Sequence, residues 1–273
     1  MFKLIEQSGM PIYRNSENGL LAFQAPALYK GFSQKYSEQM EGLYKEKVGQ
    51  GELMYDVYRD IALEKDRHLF EKYDFSYDFT VIRKGLIGNE RKKTSGHYHS
   101  WNEMRTNTYA EVYEVLQGTA VYILQKVDNF ECENPDDIKV DDLIVLKVEQ
   151  GQSVIIPPNY GHVSINAGDG DLIFSNIAYK PCKISYGPVK YYHGMAVYLM
   201  EKDGKIQVEV NKNYKNLPKI KYAVGKENSK LGINFGKAAY TEFVNHPEKF
   251  DFLANPSAYV EEIMDMLEYK EEF

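Results

Sequence analysis

Between Tyr77 and Tyr179 the chain is cut into apolar runs of four to eight residues, separated by glycine and proline turns. The runs are Phe79–Arg83, Val112–Leu116, Ala120–Val127, Asp142–Val148, Ser153–Ile156, His162–Asn166 and Leu172–Tyr179. Gly88-Asn89, Gln117-Gly118, Gln150-Gly151, Pro157-Pro158 and Gly168 to Gly170 punctuate them. No helical period intervenes, so successive strands must pair with one another or fold over one another. An antiparallel barrel or double-sheet jelly roll meets that demand. A further hairpin is expected where Met195–Glu201 and Lys205–Val210 flank Asp203-Gly204, a pair suited to a tight turn.

The flanks read differently. From about Pro26 to Tyr73, Met54, Val57, Tyr58, Ile61 and Ala62 recur at three- and four-residue steps, which predicts helix. Beyond Tyr214 a polar, lysine-rich connection leads to two expected short helices, Pro247–Leu253 and Ser257–Tyr269, the second capped by Ser257 with Glu261 and Glu262 near its first turn. The expected organisation is an all-β core with helical extensions: residues 1–75, a barrel over 76–214, and residues 215–273.

Three imidazoles and one carboxylate carry the chemistry. His97 and His99 alternate around Tyr98, so on a strand both point the same way; Glu111 opens the next apolar run, and His162 follows the Pro157-Pro158 turn. Three of the six histidines fall in this constellation, which favours a shared ion over histidines satisfied one by one. Nitrogen and oxygen donors without thiolates suit one borderline divalent ion, iron first, with Mn, Ni, Co or Zn as alternatives. Four protein ligands leave room for substrate when the ion is five- or six-coordinate, so the set reads as catalytic.

Composition excludes other classes. With 27% charged and 43% hydrophobic residues the chain is ordinary globular material, and its net charge of −7 argues against nucleic acid as a partner. The one short basic run, Arg91-Lys92-Lys93, precedes the metal motif and reads as a solvated loop, or else as a device that draws in an anionic substrate. Only Cys132 and Cys182 occur, which fits a reducing compartment. No apolar run approaches the ~20 residues needed to span a bilayer. A cytoplasmic protein without membrane partners is expected.

Glu111 followed after six residues by Gly118, and Gly151, Pro157, His162 and Asn166 at spacings of five, four and three, resemble the two cupin motifs. A narrower likeness runs from Met54 to Tyr214. Thr80 to Arg83, Gly88 to Glu90, Thr94 to His99, Glu111 to Tyr113, Leu116 to Gly118, Pro157 to His162 and Tyr186-Gly187 resemble the cupin-type glucose-6-phosphate isomerases found mainly in archaea. The resemblance implies a small jelly-roll barrel with a central metal, interconversion of glucose 6-phosphate and fructose 6-phosphate, and a homodimer. It also implies that Thr80, Thr94 and the backbone N–H of Gly96 hold the substrate phosphate.

Aldose–ketose isomerisation needs a group that polarises O1 and O2 and a route for the C2 hydrogen. The ion on His97, His99, Glu111 and His162 meets the first need, and Glu111 is a candidate base for the second, with a hydride shift as the rival route. Tyr113, two residues along on the same strand face, is expected to bond a sugar oxygen, and Tyr179 and Tyr186 are further candidates. Two features depart from the resemblance. The segment Ser100 to Ala110 is several residues longer than the pattern, a longer loop at the barrel mouth. Ile184 also stands where the pattern has a histidine, leaving proton handling there to His193 or a nearby tyrosine. The competing classes are a metal-dependent dioxygenase and a non-catalytic sugar-binding cupin.

Overall fold

Side-chain alternation along the central strands builds two large sheets that face each other across an apolar interior. A computed structural model describes residues 1–131 and 138–272, so Cys132 lies outside the described residues. One sheet has six strands in the order Ser153–Ile156, Glu111–Gln117, Leu172–Tyr179, Phe75–Ile82, Leu53–Arg59 and Gly31–Tyr36, all antiparallel. The other has five, in the order Tyr160–Asn166, Thr119–Val127, Val140–Glu149, Lys221–Gly225 and Leu267–Lys270, with one parallel pair between the third and fourth. Among the described residues the two ladders stay separate, so the core is a two-sheet jelly roll whose sheets do not close into one barrel.

Val115, Tyr122, Leu124, Ile144, Leu146 and Phe174 fill part of the space between the sheets. Their strand neighbours point outward and are covered as well. On the six-stranded sheet Phe75, Tyr77, Phe79 and Val81 meet Tyr240, Phe243, Phe250 and Phe252 from the C-terminal segment. On the five-stranded sheet Val121, Ile123 and Val145 meet Val197, Leu199 and Tyr214 around the Val197–Lys202 and Lys205–Val210 hairpin. Burial on both faces explains why the central runs are so uniformly apolar.

The helical expectation for Pro26 to Tyr73 is corrected. Gly31–Tyr36 and Leu53–Arg59 are strands that extend the six-stranded sheet, and only Arg67–Tyr73 is α-helical. Along Leu53–Arg59 burial alternates, with Met54, Asp56 and Tyr58 pointing one way. Asp56 is fully buried because it pairs with Arg83 of the chain beyond the neighbouring strand. A charged residue in the buried register hides the two-residue period from an apolar count.

At the other end Pro247–Leu253 is a 3-10 helix, and the expected helix from Ser257 shortens to Val260–Met264. Leu267–Lys270 is instead a strand, because its backbone finds a partner in Lys221–Gly225. Ser257 does not cap this helix. Its hydroxyl meets Asn102, Thr106 and Asn107 at 3.1, 2.7 and 3.0 Å, tying the Ser100 to Ala110 loop to the C-terminal segment. The Arg91 to Lys93 run is buried and paired with Glu201, Glu52 and Glu90, so it is neither a solvated loop nor an anion funnel into the cavity described below.

Glu114 joins the core to both flanks. It accepts hydrogen bonds from Gln7 Nε2 at 3.1 Å and from the Ala239 amide at 3.0 Å, and burial pushes its pKa up to about 7. The folded state therefore holds a proton there that the unfolded chain releases near the ordinary 4.5. Stability is lost as pH rises from about 4.5 through about 7, on the order of 3 kcal/mol at most. Urea unfolding between pH 5 and pH 8 should show this slope, and Glu114→Gln should flatten it and be the more stable form at pH 8. An unchanged slope would remove Glu114 as its source.

Candidate metal centre and substrate cavity

His97 enters beside His162 through paired backbone bonds, His97 N–H to His162 O at 3.0 Å and His162 N–H to His97 O at 2.9 Å. Tyr98–His99 is a short strand, and Glu111 is the first residue of Glu111–Gln117. One donor atom from each of His97, His99, Glu111 and His162 can be chosen so that all four lie within 4.8 Å of one another. Donors across an ion at about 2.1 Å each are about 4.2 Å apart, so slight closure suffices for one shared ion.

The polar bonding suits that role. His99 Nδ1 lies 2.8 Å from the Tyr109 carbonyl oxygen, which only accepts, so Nδ1 carries a proton and Nε2 faces the cluster; burial would lower the His99 pKa, but Glu111 and the Tyr109 carbonyl outweigh it and raise it. Glu111 Oε1 accepts from Asn176 Nδ2 at 2.8 Å. Glu111 Oε2, buried and without a hydrogen-bond partner, lies 3.2 Å from His99 Nε2 and 3.4 Å from His162 Nε2. Burial, then the neighbouring His162 and His99, hold the His97 pKa well below its ordinary value, which keeps its imidazole neutral and able to ligate. Burial would raise the Glu111 carboxyl, but His162 and His99 outweigh it and hold the group below the ordinary carboxylate range. A buried carboxylate oxygen and two imidazole nitrogens facing one another are what a cation would satisfy.

A cavity of about 400 Å³ opens from this cluster across the inner face of the six-stranded sheet. His97, His99, Glu111 and Tyr113 line one part of it, while His162 stands behind them, fully buried, with its Nε2 3.1 Å from the Tyr113 hydroxyl. Thr80, Thr94, Ser95 and Gly96 line another part, with the Tyr55 hydroxyl 3.2 Å from Ser95 Oγ. Gly96 has φ of 74°, and a Cβ there would meet Val163 at 3.2 Å, so the turn needs glycine. Tyr179 and Tyr186 complete the wall, Tyr186 with its ring 6.0 Å from that of His97.

Ile184 also lines the cavity, paired in register with His99. His193 does not replace the missing imidazole: it is exposed, outside the cavity lining, and its Nδ1 lies 2.9 Å from Gly42 O. The long Ser100 to Ala110 loop contributes no lining residue, and acts on the site through the Tyr109 carbonyl that orients His99.

Tyr55, Arg59, Asp78, Asn176 and Lys180 line the cavity without having drawn attention in the sequence. Tyr55 and Arg59 sit on the strand misread as helix, on the face opposite Met54, Asp56 and Tyr58. Burial lifts the Asp78 pKa to about 6 despite the Asp60 amide that donates to its Oδ1 at 2.8 Å.

A sequence profile of the family Glucose-6-phosphate isomerase (GPI) matches residues 33–218. The chain belongs to the glucose-6-phosphate isomerase family. Membership makes it an isomerase acting on a phosphorylated hexose. Among curated relatives, glucose-6-phosphate isomerase of Thermococcus litoralis is 28% identical over 176 residues, 64% of this chain and 80% of that protein. Glucose-6-phosphate isomerase of Pyrococcus abyssi is 27% identical over 164 residues, 60% of this chain and 74% of that protein. Among solved structures, vicilin from Corylus avellana (hazelnut) has a TM-score of 0.34 and 13% identity over 52% of this chain and 34% of its own, too distant to carry an argument.

Proposed function

We propose that the chain interconverts glucose 6-phosphate and fructose 6-phosphate in this cavity with one divalent ion, iron first, held by His97, His99, Glu111 and His162. The observation that supports this reading is the convergence of three imidazole nitrogens and one carboxylate beside a cavity that also carries hydroxyl and amide donors. The ion, when bound, supplies Lewis-acid polarisation of the oxygens on C1 and C2. Tyr113 offers a hydroxyl to a sugar oxygen beside the metal ligands, and Tyr179 and Tyr186 shape the wall. Glu111 is a ligand and the candidate acceptor of the C2 proton. Thr80, Thr94 and Gly96 hold the phosphate, joined by Tyr55 and Ser95.

The proposal takes residues 76–214 as the catalytic unit, with 1–75 and 215–273 built onto it and Tyr55 supplied from the first. It also includes a homodimer, from the family resemblance, and a cytoplasmic setting. No described helix is long and apolar enough to cross a membrane.

Coupled assays with fructose 6-phosphate and free fructose test the substrate class. Thr80→Val is the clean probe of the phosphate end, because Thr94 Oγ1 also accepts the Ser164 amide at 3.1 Å and its loss would leave a buried N–H unpaired. A hydrogen bond to a charged group contributes roughly 1.5 to 3 kcal/mol, so Thr80→Val should cut kcat/KM for fructose 6-phosphate by at least about tenfold. Inorganic phosphate should compete with substrate in the wild type and more weakly in the variant. Equal turnover of free fructose and fructose 6-phosphate would overturn the substrate class, and unchanged kinetics in Thr80→Val would remove Thr80 from the phosphate site.

A further inference from the structure

One polar row crosses the inner face of the six-stranded sheet. Tyr113 pairs with Asn176, Asn176 pairs with Asp78, and Asp78 Oδ2 reaches Arg59 Nη1 at 3.5 Å. All four line the cavity. Asn176 uses one N–H on Glu111 Oε1, which leaves its second N–H and its Oδ1 for a ligand. The Asp78 side chain is 10% exposed, and Oδ1 accepts the Asp60 amide. Its other oxygen has only the long contact with Arg59, a side chain 58% exposed. A neutral amide would serve the Asp60 N–H equally well, so nothing in the sheet requires a carboxylate at this position. Its charge faces the cavity.

The row also has a fixed place between the two ends of the proposed substrate site. Asn176 touches the ligand carboxylate Glu111 directly. Asp78 lies two residues before Thr80 on the same strand face, about 7 Å along the strand, and one strand, about 5 Å, from Asn176. A six-carbon phosphate with C1 and C2 near Glu111 and its phosphate near Thr80 must lay its middle hydroxyl groups across Asn176 and Asp78. A carboxylate accepts from two neighbouring hydroxyls, and a carboxamide both donates and accepts, so the pair can read their configuration. Asp78 is buried and Asn176 half-buried, so a hydroxyl of the wrong configuration leaves the Asp78 oxygen in particular unpaired, which is how a polar site rejects a near-isostere.

We propose that Asp78 and Asn176 are the specificity-determining pair of this cavity, binding the hexose hydroxyls on C3 and C4. Arg59 steadies the carboxylate from the rim, and Asn176 links hydroxyl recognition to the orientation of Glu111. The inference rests on the metal and phosphate reading above.

The test uses wild type, Asp78→Asn and Asp78→Ala in the full chain with metal content measured. Three quantities are read: kcat/KM for fructose 6-phosphate, and competitive inhibition constants for tagatose 6-phosphate, its C4 epimer, and for inorganic phosphate. Asp78→Asn keeps an acceptor for the Asp60 amide, so its thermal midpoint guards against a folding effect. Expected is a loss of at least tenfold in kcat/KM for fructose 6-phosphate in both variants, a change of under threefold for tagatose 6-phosphate, and no change for inorganic phosphate. Asn176→Ala should likewise narrow the preference between the epimers. Equal losses for both epimers, or no loss for either in a folded Asp78→Asn, overturns the inference. Failure of wild type to turn over fructose 6-phosphate overturns the underlying reading instead.

Discussion

Chelation is expected to abolish isomerisation and a divalent ion to restore it, and His97→Ala or His162→Ala should each weaken metal binding by more than about 100-fold. The size follows from what each ring does. Loss of a group that merely orients a ligand costs about 10- to 100-fold in affinity, and loss of a ligand costs more. His97 offers a neutral nitrogen because burial suppresses its protonation, and His162 is buried within the cluster. Metal content after gel filtration and activity on fructose 6-phosphate should fall together, while circular dichroism stays that of the wild type. Full activity in metal-free protein would sink the metal reading.

The four clustered donors are legible in the sequence because their signal is local. His97 and His99 need only the alternation of one strand, Glu111 opens an apolar run, and His162 follows the Pro157-Pro158 turn. The same holds for Ser153–Ile156 and Leu172–Tyr179, whose bounds the glycine and proline turns already set. What the sequence hides is decided at long range. Leu53–Arg59 looks helical because Asp56 occupies a buried register, and its justification, Arg83, arrives from another part of the sheet. With that strand misread, Tyr55 and Arg59 cannot be seen as cavity residues. Asp78 and Asn176 escape notice for a related reason: a polar residue in a strand reads as a solvent face, whereas here both faces of the sheet are covered and the polar side chains point into the cavity. Leu267–Lys270 has little apolar pattern of its own, and pairing with Lys221–Gly225 makes it a strand.

Glu111→Gln separates the two routes for the C2 hydrogen. In the proton route the carboxylate takes hydrogen from C2 and returns it to C1 through a cis-enediol. Glutamine, which cannot accept that proton, should then lower kcat by on the order of 10²- to 10⁴-fold. The variant keeps Oε1 as acceptor for Asn176 Nδ2, so side-chain orientation survives, but it places an amide where Oε2 faces His99 and His162. Metal affinity must fall, so kcat is compared at ion concentrations that hold occupancy at the wild-type level. The imidazoles that hold this carboxyl below its ordinary range also make it a weak base, so transfer requires a C2 hydrogen already acidified by its polarised carbonyl neighbour. Deuterium placed at C2 then gives an independent reading in the wild type, because a proton resting on Glu111 exchanges in part with water before it reaches C1. Partial loss of the label together with the kcat drop assigns Glu111 as the base. Complete retention through product, with metal-replete Glu111→Gln still active, assigns the hydrogen to a direct shift from C2 to C1 and leaves Glu111 a ligand alone.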